Sequence, residues 1–231
     1  MGLAHSPRII TSGLVGCWDA GNTKSYSGSG TTWTDLSGNG LNGTLANTTY
    51  SSGYLTFNGT SSTSNQGTSN ILNLTTALTI EVWSYPTGWG QNSVGRLVER
   101  RDGTGSLGYV FLLDNSTVTS GIRYGTNADG VGSDYTLANS VSLNTWQHFT
   151  VTHTGGTATI YKNGNSIGSS SVTQPSSASG ATCYIGVAGG TLGGAARYFA
   201  GNIPSVKIYN RALSAQEVAQ NFNALRGRFG I

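Results

Sequence analysis

The sequence predicts an all-β domain: a two-layer antiparallel β-sandwich with one short C-terminal helix. Three observations lead there. From Gly13 onward, short apolar or alternating runs recur, each closed by Gly, Asn, Asp or Ser, which is the rhythm of a sandwich or barrel. Only 9% of the 231 residues are charged, 35 are glycine, and the rest of the polar surface is mostly Ser, Thr and Asn. A helical signature appears once, near the end. The hydrophobic share of 36%, with 6 Phe, 11 Tyr and 5 Trp, supplies a core and argues against disorder. The length suits a single all-β unit.

Residues 1–12 read as an extended arm, since Pro7 disfavours a helix and Ile9 and Ile10 offer an apolar contact. The sandwich is expected over residues 13–210. Its first run is Leu14 to Trp18, followed by a loop-rich stretch from Asp19 to Gly43. Further runs are Leu55–Phe57, Leu78–Trp83, Arg96–Glu99, Tyr109–Leu113 and Ser120–Tyr124, then Trp146–Val151, Ala158–Tyr161, Cys183–Gly186 and Val206–Tyr209. Asn163-Gly164 accepts the positive φ angles of a type I′ turn and predicts a tight hairpin, and Gly155-Gly156 predicts another. Residues 211–231 are expected to form a capped helix and tail docked on the sandwich. Ser214 and Glu217 make a capping box, with Leu213 and Val218 at the flanking staple positions. Val218, Phe222 and Leu225 form one apolar stripe, and Gly227 is a natural stop.

Charge and length exclude several classes. The net charge is +3 and no Lys/Arg run occurs, the densest spots being Arg100-Arg101 and Arg226 with Arg228; a nucleic-acid groove wants a basic stripe. No stretch of about 18 apolar residues is present to span a membrane. Met1 to Ile10 lacks the pattern of a signal peptide, and the Asn-x-Ser/Thr triplets then read as composition. Cys17 and Cys183 lie in apolar runs and read as buried free thiols, with no Cys/His set at zinc-ligand spacing.

The order of motifs resembles the laminin-G-like jelly-roll domains of the concanavalin A-like lectin/glucanase superfamily. Gly13-Leu14-Val15 with Asp19-Ala20 looks like the opening strand. Trp33-Thr34-Asp35-Leu36-Ser37-Gly38 looks like the loop after it, and Phe57-Asn58-Gly59 like the Phe-Asp-Gly step. Leu78 to Trp83, Trp146-Gln147-His148-Phe149, Ile160 to Gly164 and Ile185-Gly186 follow in the expected order. Phe199 to Ile203 and Val206 to Ser214 resemble the closing strand and helix start. The resemblance covers about residues 13–225. It implies calcium as a candidate cofactor, with Asp19 and Asp35 as weak candidate ligands. Asn58, Ser61 and Ser62 stand where the family often has acids, which weakens such a site, so the expectation is no cofactor. The tail from Asn221 to Ile231 and the opening Met1 to Arg8 are similar to laminin-G-like proteins of tailed bacteriophages.

Glucanases of this superfamily need a pair of carboxylates flanking the bond. This chain has nine acids and no cluster with two-residue steps; Glu99 and Asp102 come closest, and their spacing points them to opposite faces of a regular strand. Glu81 and His148 occupy places typical of the family's structural strands. The expectation is a non-enzymatic protein. Trp33 and Trp89 fall in apparent loops where a ring could stack on a sugar, and Asn127, Asp129 and Asp134 could bond hydroxyls. The leading expectation is a virion structural protein: a capsid decoration or cement, or another head- or tail-surface accessory. It would be assembled in the host cytoplasm and would contact other virion proteins through Pro7, Ile9, Ile10, Arg226, Arg228 and Phe229. The alternative is a lectin-like adhesion module that binds host glycans, and the weakest is a glycan hydrolase.

Overall fold

The computed structural model describes residues 7–116, 120–127, 134–189 and 196–231. Among them the first strands are β1 (Leu14–Asp19), β2 (Thr32–Trp33), β3 (Gly43–Ala46), β4 (Thr49–Ser51), β5 (Tyr54–Asn58) and β6 (Thr63–Asn65). The middle of the chain forms β7 (Ala77–Pro86), β8 (Arg96–Arg101), β9 (Gly108–Asp114), β10 (Gly121–Thr126) and β11 (Asp134–Leu137). The last strands are β12 (Gln147–Thr154), β13 (Thr157–Lys162), β14 (Asn165–Ser171), β15 (Cys183–Ile185) and β16 (Ala200–Tyr209), followed by the helix α1 (Ala215–Phe229).

The strands form two antiparallel sheets, as the composition and rhythm predict. One runs β14-β13-β12-β7-β16-β5-β4 with β1 also paired to β16; the other runs β11-β10-β9-β8-β15-β6-β3-β2. Alternation along each strand sends one set of side chains between the sheets. Trp18, Phe57, Ile80, Val82, Phe111, Phe149, Val151, Phe199 and Val206 meet there and are essentially sealed from solvent. Each such side chain contributes about 1.5–3 kcal/mol by leaving water. Two aromatic polar groups inside are paired: Trp18 Nε1 donates to Leu41 O at 2.8 Å, and Tyr124 Oη lies 2.9 Å from His153 Nδ1. His153 Nε2 lies 3.1 Å from Val172 O, which can only accept, so Nδ1 is left to accept from the tyrosine. Burial lowers the pKa of His153, in keeping with a neutral ring.

The Asn163-Gly164 hairpin forms as expected, with φ of +51° and +80° at its two central residues. A Cβ on Gly164 would stand 3.0 Å from the Phe222 ring, so glycine there serves the turn and the helix packing at once. Gly155 and Gly156, both with positive φ, close the β12–β13 hairpin.

The capping box is present: Ser214 Oγ accepts from the Glu217 amide at 3.2 Å, and Glu217 Oε2 accepts from the Ser214 amide at 2.9 Å. Leu213 and Val218 are buried together with Tyr161 and Tyr209 as a second small core. The helix does not stop at Gly227. It runs on to Phe229 and is capped by Gly230 in the left-handed conformation. The physical reason is that Phe229 stacks on Trp83, with centroids 4.2 Å apart, which rewards one more turn.

Both cysteines are buried free thiols, and burial pushes Cys17 up to about 11 and Cys183 up to about 12. Arg100 and Arg101 are buried too, at 1% and 2% exposure, so that basic pair is no surface patch. No helix among the described residues is long and apolar enough to cross a membrane.

Candidate functional site

The sandwich presents two outer faces, one on each sheet. On the outer face of the β7 sheet, α1 lies over a buried polar cluster. Glu81 Oε1 pairs with Lys207 Nζ at 2.7 Å and with His148 Nε2 at 3.3 Å, and Glu81 Oε2 accepts from Asn221 Nδ2 at 2.8 Å. Burial alone would raise the Glu81 carboxyl, but Lys207 and His148 hold it well below its ordinary value. Lys207 is raised in turn, because the attraction of Glu81 outweighs its burial. Asn221 Oδ1 accepts from the Ile10 amide at 2.7 Å, and Tyr209 Oη donates to Ile10 O at 3.0 Å. Glu81 is thus a structural carboxylate that ties β7, β16, the arm and the helix together.

The assembly residues proposed from sequence are largely used inside the chain. Ile10 is half-buried against the second small core and anchors the arm. Ile9 is half-buried, and Pro7 is exposed. Arg228 Nη1 bonds Asp19 Oδ1 at 2.6 Å, and Arg228 Nη2 donates to Gly53 O. Phe229 is stacked on Trp83. Ile10, Arg228 and Phe229 are therefore committed to holding the chain's two ends on its own sandwich, and Pro7 and Arg226 stay exposed.

The acids are committed as well. Glu99 Oε2 pairs with Arg96 at 2.8 Å, both fully buried, and Glu99 Oε1 accepts from the Gly189 amide at 2.8 Å. Asp102 caps its own turn through Thr104, Ser106 and Leu107. Asp114 bonds Arg123 at 2.8 Å, and Glu217 bonds Arg211 at 2.6 Å. Asp35 accepts from the amides of Cys17, Ser37 and Leu41 and from Ser37 Oγ. Asp19 is bridged to Arg228. Asp35 thus spends both oxygens on these donors, and Asp19 Oδ1 faces Arg228 and the Gly21 amide. Among the described residues, no group of three or more His, Cys, Asp or Glu side chains could hold a metal ion.

The second outer face is built differently. The register aligns Thr32, Thr44, Asn65, Tyr184, Glu99, Val110, Gly125 and Asp134 in one cross-strand row over all eight strands of that sheet. Half of the row is closed: Glu99 and Val110 are fully buried, and the segment reaching Gly189 lies over Glu99. The other half is open. There Thr44, Ala46, Thr63, Asn65, Tyr184 and Tyr198 line a cleft of about 470 Å³, walled by Val187, Ala188 and Ala196. Tyr184 and Tyr198 are half-buried, so each ring is held yet keeps an accessible part. The cleft offers aromatic surface with amide and hydroxyl groups, and its described lining has no charge.

The binding residues proposed from sequence do not converge. Trp33 is fully buried in the core, and its strand β2 is the sheet edge farthest from β11, which carries Asp134. Its indole plugs the sandwich under the loop and has no face for a ligand. Trp89 is partly buried against the core. Asn127 ties two loops, donating to Gln174 O and accepting from the Ser176 amide. Asp134 lies 3.8 Å from Arg123, and Asp129 falls outside the described residues. Sequence reasoning missed Asn65, Thr44 and Thr63 because β3 and β6 are short and polar. Tyr184 was within a recognised run, but its outward direction needed the strand register.

These features define a two-sheet antiparallel β-sandwich domain with one docked helix. The chain belongs to the Concanavalin A-like lectin/glucanases superfamily: the Laminin_G_3 family matches residues 52–219. No curated protein sequence matches it. Among solved structures it is similar to the binding domain of Paraclostridial Mosquitocidal Protein 1, with 18% identity, a TM-score of 0.67, and coverage of 93% of this chain and 52% of that one. It is similar to domain 4 of AbnA, an extracellular arabinanase of Geobacillus stearothermophilus, in complex with arabinotriose. The identity there is 16% and the TM-score 0.65, over 90% of this chain and 97% of that one. It is also similar to Trypanosoma rangeli sialidase, with 20% identity, a TM-score of 0.66, and coverage of 96% of this chain and 34% of that one. The chain thus spans about half of the toxin fragment and a third of the sialidase, and matches nearly the whole arabinanase domain. At these identities the likeness establishes the fold.

Proposed function

We propose that this domain is a non-enzymatic, lectin-like module that binds a neutral glycan in the cleft over Asn65, Tyr184 and Tyr198. The observation that carries the reading is the open half of the cross-strand row, where aromatic, amide and hydroxyl groups share one concave surface. Aromatic faces take the apolar side of a sugar ring, and the polar groups fix its orientation. The commitment of Glu81, Glu99, Asp102, Asp114 and Glu217 to structural partners supports binding without hydrolysis. The solved AbnA domain with arabinotriose supports a glycan ligand for this architecture. Binding on a glycan array that is lost in Tyr184→Ala, with thermal stability unchanged, is the expected result. An array with no hit, or binding indifferent to Tyr184→Ala, overturns it.

A second reading concerns where the module works. The resemblance of Met1 to Arg8 and Asn221 to Ile231 to tailed-bacteriophage proteins supports display on a virion surface, as a decoration or other accessory. Binding glycan and decorating a particle are compatible. The chain should then appear in purified particles at a stoichiometric copy number; particles without it overturn this placement.

A further inference from the structure

We infer a second glycan-binding platform, on the outer face of the β7 sheet beyond the end of α1, with Trp146 as its stacking ring. The register extends a row of side chains across that face: Tyr85 pairs with Asn202, Asn202 with Thr56, and Thr56 with Thr49. Trp146 precedes β12 and continues the row beyond Tyr85, their centroids 5.2 Å apart. The row therefore reads aromatic, aromatic, amide, hydroxyl, hydroxyl, with no charge.

Trp146 is pre-organised. Tyr54 meets it edge-on at 5.6 Å, Tyr85 does so from β7, and Phe229 packs on it at 4.9 Å. Yet Trp146, Tyr54 and Tyr85 are all only half-buried, whereas Trp83 next to them is sealed under the helix. The end of the helix packs on Trp146 through Phe229 alone and leaves the rest of that ring, with Tyr54 and Tyr85, at the surface. Fixed aromatic rings bordering an amide and two hydroxyls suit a sugar, since a held ring loses little rotamer freedom on binding. Asn202 Oδ1 accepts from Thr56 Oγ1 at 2.9 Å, which orients the amide and leaves its nitrogen as the donor for a ligand. Strands spaced about 4.8 Å apart put Asn202 two steps from Trp146, so the ligand is a glycan of at least two linked rings with a neutral, stackable face. This site does not depend on the cleft of the opposite sheet.

The test uses Trp fluorescence. Trp18, Trp33 and Trp83 are fully buried, so in Trp89→Phe the solvent-facing indole is Trp146. The probes are arabinotriose, cellotriose and laminaritriose. The expected result is that at least one probe shields Trp146 from acrylamide. Asn202→Ala should weaken that probe by about tenfold, near the value of one good contact, and Tyr184→Ala should leave it unchanged. Asn202 lies away from the helix, so its variant serves where Trp146→Ala loosens α1. Glycan binding that depends wholly on Tyr184, with Trp146 silent, overturns the platform and leaves the cleft standing. A concentration-dependent dimer abolished by Trp146→Ala, with no probe response, overturns it in favour of a protein contact. No response at either face overturns both.

Discussion

The two outer faces of this sandwich each bury a carboxylate, and they cover it in opposite ways. On the β7 sheet, Glu81 sits under a helix that brings its own amide, Asn221, and its own rings, Phe222 and Phe229. On the β8 sheet, Glu99 sits beside Arg96 under a loop segment whose amide comes from Gly189. A helix is a broad, regular lid that seals nearly everything beneath it. A loop is a narrow one that leaves half a row of side chains exposed to water. The proposed cleft is thus what remains, among the described residues, after structure has been secured.

Three measurements sharpen that contrast. The largest effect belongs to the helix-covered face. Glu81→Ala strands Lys207 in the interior, and removing one partner of a buried pair costs about 3–5 kcal/mol, read as a lower urea midpoint. Replacing Glu81 and Lys207 together by Leu and Met should recover most of this loss; no recovery would mean that Asn221 and the arm, rather than the ion pair, hold the face. The acid response of the helix start is smaller. The Arg211 guanidinium pulls Glu217 down from 4.5 to about 2. A depressed carboxyl stabilises the fold above its unfolded value and loses that contribution as pH falls from 4.5 toward 2. The pair is partly exposed, so the amount stays below about 1 kcal/mol. In Glu217→Gln the melting temperature should fall less steeply between those pH values than in the parent, the other depressed carboxyls, Glu81 and Asp102, contributing to the remaining slope. The smallest effect is at the open row, where Tyr184→Ala should move stability by no more than about 0.5 kcal/mol while removing glycan binding.

The same contrast explains what could be read from the sequence. The strands that were legible, such as Ala77–Pro86 and Gln147–Thr154, carry long apolar sets into the core. The helix start was legible because Ser214 and Glu217 form a local motif that needs no tertiary knowledge. The strands that were not legible are Thr32–Trp33, Gly43–Ala46, Thr49–Ser51, Thr63–Asn65, Asp134–Leu137 and Asn165–Ser171. They are short or polar, and their pairing is fixed by neighbours far away in the chain. Those strands supply much of both proposed surfaces. Trp33 shows the same limit: its loop context suits either a stacking ring or a core plug, and burial settles it as the plug. The internal anchor of the arm is not legible in the sequence, because Asn221 lies 211 residues from Ile10.

The clasp between Ile10 and Asn221, with Arg8 O accepting from Gln220 Nε2, holds the described part of the arm against the C-terminal helix. A tether joined to the helix end would hold the domain by that side, like a lamp on a bracket. The cleft on the β8 sheet would then point outward into the medium, and the Trp146 row would sit close to the mounting. Of two surfaces on one sandwich, the first would be placed for distant capture and the second for what lies near the point of attachment.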